Sequence, residues 1–188
     1  ELALKCLGGI KTIFKTENPV IIFPASGTGA WEAALVNTLN DGDNVLMVET
    51  GHFASLWNNM AQKLGLKVEL LKTDWRQGLD PNKIEKRLRL DADKKIKAVC
   101  IVHNETSTGC TSDVKAVREI LDNLNHDALL MVDSISGLAS MNYEHDEWGV
   151  DITISGSQKG LMLPPGLSFN AISEKAINKH DVFGTRIK

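Results

Sequence analysis

Two residues of this chain carry chemistry that their surroundings make costly. Lys159 lies in "ISGSQKGLMLPPG", between a strand-like run of small residues and an apolar turn ending in Pro164-Pro165. Solvated lysines sit on helix faces or loop tips. An amine beside Met162, Leu163 and two prolines is expected to be partly dried, which lowers its pKa and makes it nucleophilic enough to form a Schiff base with a carbonyl. Asp133 follows "ALLMV", at the carboxyl end of an apolar strand, where a carboxylate is destabilising unless a partner holds it. It suits a cap for the turn "SISG" or an ionised partner for a cationic ligand group. Taken by itself, Lys159 is better read as one half of a structural ion pair, with Asp133 as a candidate partner.

The elements that must position them follow from periodicity. Strand-like runs "PVIIF" (19–23), "NVLMVE" (44–49), "KVELL", "IKAVCIVH" (96–103), "ALLMVDS" (128–134), "DITISGS" and "LSFNAIS" alternate with helix-period segments "AWEAALVNTL", "FASLWNNMAQKLG", "PNKIEKRLRL" and "SDVKAVREILDNL". Asp80-Pro81 reads as a cap followed by proline at the first helical position, and Ser112 as the cap of the helix after it. Near-continuous apolar strands with helices between them predict an α/β fold, a mostly parallel sheet covered on both faces. Ligands of such sheets bind beyond the carboxyl ends of the strands, so the loops there carry the function. No repeat, low-complexity tract or linker divides the chain, and one domain is the expectation.

The first such loop, "ASGTGAWEAAL", runs small residues straight into a helix start, which suits a phosphate or another anion and also suits a plain tight turn. It is not a P-loop, since no Gly-Lys-Ser/Thr follows, and Trp31 and Glu32 break the dinucleotide spacing. "ETGHFASLW" brings His52 and Phe53 to the same edge, where either residue singly has an ordinary loop or core reading. "HNETSTG" adds Thr106, Ser107 and Thr108, hydroxyls that can point into a pocket or cap a helix. No histidine or cysteine stands at metal-ligand spacing, and no metal is expected.

Composition narrows the class. The 188 residues are 43% hydrophobic and 24% charged, with a net charge of −3, so the basic footprint of a nucleic-acid binder is missing. The apolar runs fall far short of the roughly 20 residues of a membrane-spanning helix. Cys6, Cys100 and Cys110 form no C-x-x-C pair, which favours a reducing compartment over a disulfide scaffold.

An anion loop, an aromatic ring, an aspartate and a lysine on one sheet edge are together what pyridoxal 5′-phosphate requires: a phosphate cradle, a stacking face, a partner for the pyridine nitrogen and a Schiff-base lysine. The motifs "SGTGAWEAAL", "GHFASLW", "HNETSTG", "LLMVDSISGL" and "DEWGVDITISGSQKGLMLPPGL" then resemble the class V aminotransferases of fold type I, over about Ile21 to Lys175. That resemblance implies the large, cofactor-binding domain of such an enzyme. It makes Lys159 the Schiff-base lysine and proton shuttle, and Asp133 the partner of the pyridine nitrogen. Phe53 stacks on the ring, and Ile135 packs on the opposite face. Thr106 bonds near the phenolic oxygen, and Thr28, Gly29 and Ala30 hold the phosphate with Gln158. Ala30 stands where some relatives have a histidine, so only a backbone contact carries over.

The activity implied is transfer of the amino group of serine, or alanine, to glyoxylate, giving hydroxypyruvate or pyruvate and glycine. The implied partners are small amino and 2-oxo acids and a second copy of the chain in a homodimer, with no nucleic acid or membrane. The implied location is the cytoplasm in bacteria and the peroxisome in some eukaryotes. The chain begins without methionine, and it is expected to be a piece of a longer polypeptide. The small C-terminal domain, with the arginine that grips the substrate carboxylate, and the extreme N-terminal segment would lie outside it; Arg186 fits no such motif. Two other enzyme readings remain, a cysteine desulfurase and a Rossmann-type NAD(P) oxidoreductase. Phe53 and Gln158 count against the first, where a histidine would stack on the ring and a Ser-x-His-Lys motif would carry the lysine. The broken glycine spacing counts against the second. A fourth reading is a remnant that binds without turnover.

Overall fold

Alternating apolar residues sort the strand side chains onto two faces, and each face is sealed by its own set of helices. The computed structural model describes residues 1–183, with side chains through His180. Helix α1 (Leu2–Phe14) precedes strand β1 (Val20–Phe23), and helix α2 (Gly27–Thr38) leads to β2 (Asn44–Glu49). Then come α3 (His52–Lys63), β3 (Lys67–Lys72), α4 (Pro81–Arg89), β4 (Ile96–Val102), α5 (Val114–Asn123) and β5 (Leu129–Asp133). Strands β6 (Ile152–Gly156) and β7 (Ser168–Ile172) and helix α6 (Glu174–Phe183) complete the order.

All seven strands join one sheet in the order β1-β7-β6-β5-β4-β2-β3. The pairs β6–β5, β5–β4, β4–β2 and β2–β3 are parallel, and β7 runs against both β6 and β1. Two reversals in succession make β1 point the same way as β6. The carboxyl ends of β1, β2, β4, β5 and β6 therefore share one edge, the edge on which the sequence put its candidate residues.

Strand β5 shows the sorting most plainly. Leu130 and Val132 join Phe14, Ile84, Leu88, Val117 and Leu121 under α1, α4 and α5, whereas Leu129 and Met131 join Trp31, Leu35 and Trp57 under α2 and α3. Every residue of β5 and of β6 is buried. Unbroken apolar runs are what a strand covered on both faces requires.

The predicted strands are all present within a residue or two of their ends. Asp80 caps α4 by accepting from the Asn82 N–H, with Pro81 at the first helical position. Two local expectations fail. Helix α2 starts at Gly27 rather than Ala30, because an uncapped Ser26 already opens the first turn. Ser112 does not cap α5: Asp113 does, accepting from the Ala116 N–H at 3.0 Å, and an ionised acceptor is the stronger cap there. Among the described residues no helix is long and apolar enough to cross a membrane, and no cluster of three His, Cys, Asp or Glu gathers to hold a metal.

Candidate active site

The loops at the shared edge enclose a cavity of about 220 Å³ lined by thirteen residues, with Thr28, Phe53, Thr106, Asp133, Ile135, Gln158 and Lys159 among them. Seven of the nine residues singled out in the sequence thus meet in one place. The remaining two do not. Gly29 and Ala30 lie one step deeper in α2, and Ala30 is fully buried; its N–H bonds the Ser26 carbonyl and its carbonyl accepts from Asn170. With the backbone N–H of Ala30 spent inside the helix, the groups that open on the cavity come from Ser26, Gly27 and Thr28. Ser26 makes no side-chain cap, which leaves first-turn N–H groups free to meet an anion.

This opening turn must pack tightly against the β5 loop. A Cβ built on Gly27 would fall 2.3 Å from Ile135 Cδ1, so a side chain there would push α2 off the loop. Gln158, just past β6, reaches back to the same corner: its Oε1 would lie 3.1 Å from a Cβ on Gly156, which itself lies beside the Gly27 N–H.

Asp133 is 3% exposed and spends both oxygens on N–H donors. Oδ1 accepts from the Ile135 N–H at 2.7 Å, and Oδ2 accepts from Trp31 Nε1–H at 2.8 Å. The turn cap is present, and the same carboxyl group lines the cavity. Burial pushes its pKa up to about 7; the two N–H bonds work against that rise and the nearby Glu105 adds to it. Among the described residues no ion pair joins Asp133 to Lys159, so the structural ion-pair reading falls, and the carboxyl group has no cation to hold its charge.

Lys159 departs from expectation in its surroundings. The turn beyond it turns outward: Met162 is 90% exposed and Leu163 48%. Lys159 is itself exposed, so the turn does not dry it. Ser157 sets the turn instead. Its buried hydroxyl donates to the Pro164 carbonyl at 2.6 Å, its carbonyl accepts from the Leu163 N–H, and the Lys159 carbonyl accepts from the Met162 N–H. These bonds hold Lys159 at the cavity rim.

Two residues that sequence reasoning passed over organise the site. Glu105, fully buried, closes the open end of α3 from a distant loop. It accepts from the N–H groups of Phe53, Ala54 and Ser107 and from the Ser107 hydroxyl. Gly51 leaves room for it, since a Cβ there would meet Glu105 Cγ at 2.4 Å. Phe53 thus owes its place to a carboxylate on the β4 loop. Trp31, seen earlier only as a break in a glycine spacing, lines the cavity and donates to Asp133. The readable signal was an indole on the inward face of a helix, which needs an acceptor once buried. Arg186 lies outside the described residues.

Pyridoxal phosphate fits this set of residues. A buried carboxylate without a cation stands ready for the pyridine nitrogen, Phe53 and Ile135 offer apolar surface, the uncapped turn of α2 with Gln158 offers N–H donors to a phosphate, and Lys159 offers an amine. The chain matches the Aminotransferase class-V family over residues 6–185. It is 52% identical over 167 residues to the serine–glyoxylate aminotransferase of Methylorubrum extorquens, which covers 89% of this chain and 42% of that protein. It is 46% identical over 172 residues to the L-aspartate–glyoxylate aminotransferase of Paracoccus denitrificans, covering 91% and 43%. The crystal structure of alanine–glyoxylate aminotransferase from Nostoc sp. superimposes with a TM-score of 0.91 at 30% identity, over 99% of this chain and 48% of that one. The chain spans less than half the length of these relatives. On this family match and these relatives, the chain belongs to the class V aminotransferases of fold type I, enzymes that work with pyridoxal phosphate.

Proposed function

We propose that the full-length protein is a transaminase that moves the amino group of serine, or of alanine, to glyoxylate, giving hydroxypyruvate or pyruvate and glycine. The observation that carries this reading is the meeting of Lys159, Asp133 and the uncapped start of α2 in one cavity. The serine–glyoxylate relatives at 52% and 50% identity support the donor and the acceptor.

When bound, pyridoxal phosphate supplies an electron sink for the bond that breaks at the amino acid's Cα. The chain's own residues do the rest. The N–H groups of the first turn of α2, with Gln158, bind the phosphate. Asp133, when ionised, would hold a proton on the pyridine nitrogen, and Thr106 would offer its hydroxyl to the ring's oxygen. Phe53 and Ile135 hold the ring plane and keep water from it. Lys159 Nζ would hold the cofactor's carbonyl carbon and, once freed, would be the base placed to carry the proton of the substrate's Cα. The desulfurase alternative is not favoured, since its solved examples share only 21% and 15% identity and show the fold alone. The NAD(P) alternative lacks its glycine fingerprint.

The same reading makes the working unit a homodimer. It locates the enzyme in the cytoplasm of a bacterium or the peroxisome of a eukaryote. The test is direct. Full-length protein given pyridoxal phosphate should develop a visible chromophore that borohydride bleaches, fixing the cofactor's mass on Lys159. A panel of serine, alanine, aspartate and cysteine against glyoxylate should give glycine fastest from serine. A Lys159→Ala protein that still turns over at the parent rate would end the proposal; sulfide release from cysteine would point to the desulfurases.

A further inference from the structure

Trp31 occupies a position that packing alone does not require. It is 4% exposed, and its ring stacks on Trp57 of α3 at 5.9 Å with a 13° tilt. Its one polar atom, Nε1, donates to Asp133 Oδ2. A benzothiophene in place of the indole would fill the same space and keep the stack; what it would lack is the donor. An aspartate held at one oxygen only, by the Ile135 N–H, keeps the freedom to swing its plane about that bond. Held at both oxygens it cannot. The two donors also favour the ionised carboxylate in a place where burial and Glu105 oppose it.

We propose that Trp31 is a positioning residue for the cofactor: clamped by Trp57, its indole N–H fixes the orientation and the charge of the Asp133 carboxylate on which the pyridine nitrogen depends. The proposal rests on the cofactor reading of the cavity given above and deepens it. Helix α2 then serves the cofactor twice, with its first-turn N–H groups toward the phosphate and with the indole one turn later toward the group that meets the ring.

The test uses the full-length protein with Trp31→Phe. A second replacement, benzothienylalanine at position 31, keeps the bicyclic shape and the stack and removes only the N–H, which covers the case of a Phe variant that folds poorly. Pyridoxal phosphate affinity, read by absorbance titration at neutral pH, should fall roughly ten- to hundred-fold in both, the range for a hydrogen bond to a charged group. In the cofactor-free protein, infrared difference spectra should show the protonated Asp133 carboxyl persisting to higher pH than in the parent. In an Asp133→Asn background, removing the N–H should leave the affinity of that background unchanged. Replacements that bind as tightly as the parent with the same infrared midpoint overturn the proposal, and so does an equal loss in the Asp133→Asn background, which would assign the effect to packing. A parent protein that takes up no pyridoxal phosphate sinks the cofactor reading and this proposal with it. The cofactor-free infrared titration tells the two failures apart, because it reads the Trp31–Asp133 link without the ligand.

Discussion

Strands β5 and β6 bury polar groups on both of their faces, and the two faces treat them in opposite ways. On the α2–α3 face, Asp133 takes two N–H bonds and still opens on a cavity, with its pKa raised to about 7. On the other face Thr153 accepts no visitor: its hydroxyl meets the Tyr143 hydroxyl at 2.8 Å and His145 Nδ1 at 2.7 Å. His103 closes over that set, its ring 5.2 Å from Tyr143 and 5.8 Å from Trp148. Burial holds His145 neutral, with its pKa down to about 4. One face leaves a buried carboxyl group open to a cavity with no cation beside it, and the other satisfies most of its polar atoms internally. The first arrangement is destabilising without a ligand, and the second stabilises the fold whatever is bound.

The strongest challenge to that contrast is Asp133→Ala. Removing one partner of a buried charge pair should weaken pyridoxal phosphate binding by a hundred-fold or more, a loss of roughly 3–5 kcal/mol. The cofactor-free protein should be no less stable to urea above neutral pH. A matching loss of stability there would make Asp133 a structural residue. Next in size is Glu105→Gln. Replacing a charged acceptor of four bonds by an amide should lower the stability read from urea unfolding by about 1–3 kcal/mol and lower cofactor affinity too, because Phe53 loses its anchor. Thr153→Val tests the closed face. It strands the Tyr143 hydroxyl and His145 Nδ1 and should lower stability on the order of 1–3 kcal/mol with cofactor affinity unchanged.

The smallest effect in the parent is a slope with pH in the cofactor-free protein, because two groups there oppose each other. Between about pH 4 and 7 the folded state keeps a proton on Asp133 that the unfolded chain has released, so this group makes stability fall as pH rises through that window. Between about pH 6.5 and 4 the unfolded chain protonates His145 while the folded state does not, so this group makes stability fall as pH drops. The two slopes oppose each other across most of one range. Asp133→Asn should expose the second, giving urea midpoints that climb from pH 4 to 6.5 more steeply than those of the parent.

The difference between the faces also explains what could be read in advance. Lys159, Asp133 and Phe53 were legible because each follows an apolar strand or opens a helix, and their loops were bound to share an edge once the strands were parallel; Gln158 came with the family resemblance alone. Glu105 and Trp31 were not, because their partners lie far along the chain: the Trp31–Asp133 bond spans 102 positions and the Glu105–Ala54 bond 51. Pattern in a sequence reports which face a residue takes and not which atom waits there. The drying of Lys159 failed for a related reason, since "LMLPPG" reads as apolar whether its side chains turn inward or, as Met162 and Leu163 do, toward solvent. Ala30 failed through a single hydrogen bond, spent on Ser26.

Strand β7, reversed between β1 and β6, carries one last consequence, and it concerns time. Strand β1 precedes every other described strand in the chain, yet among the described residues its one neighbour in the sheet is β7, the last of them. The Asn170–Ala30 bond that ties α2 to β7 spans 140 positions. Contacts of such separation form late in folding, since the intervening loop must be closed before they give any return. Helix α2 carries both the phosphate corner at Gly27 and the Trp31 N–H that holds Asp133, so both corners wait on the same long-range docking. Tight capture of pyridoxal phosphate should therefore appear only once β7 has paired with β1 and β6.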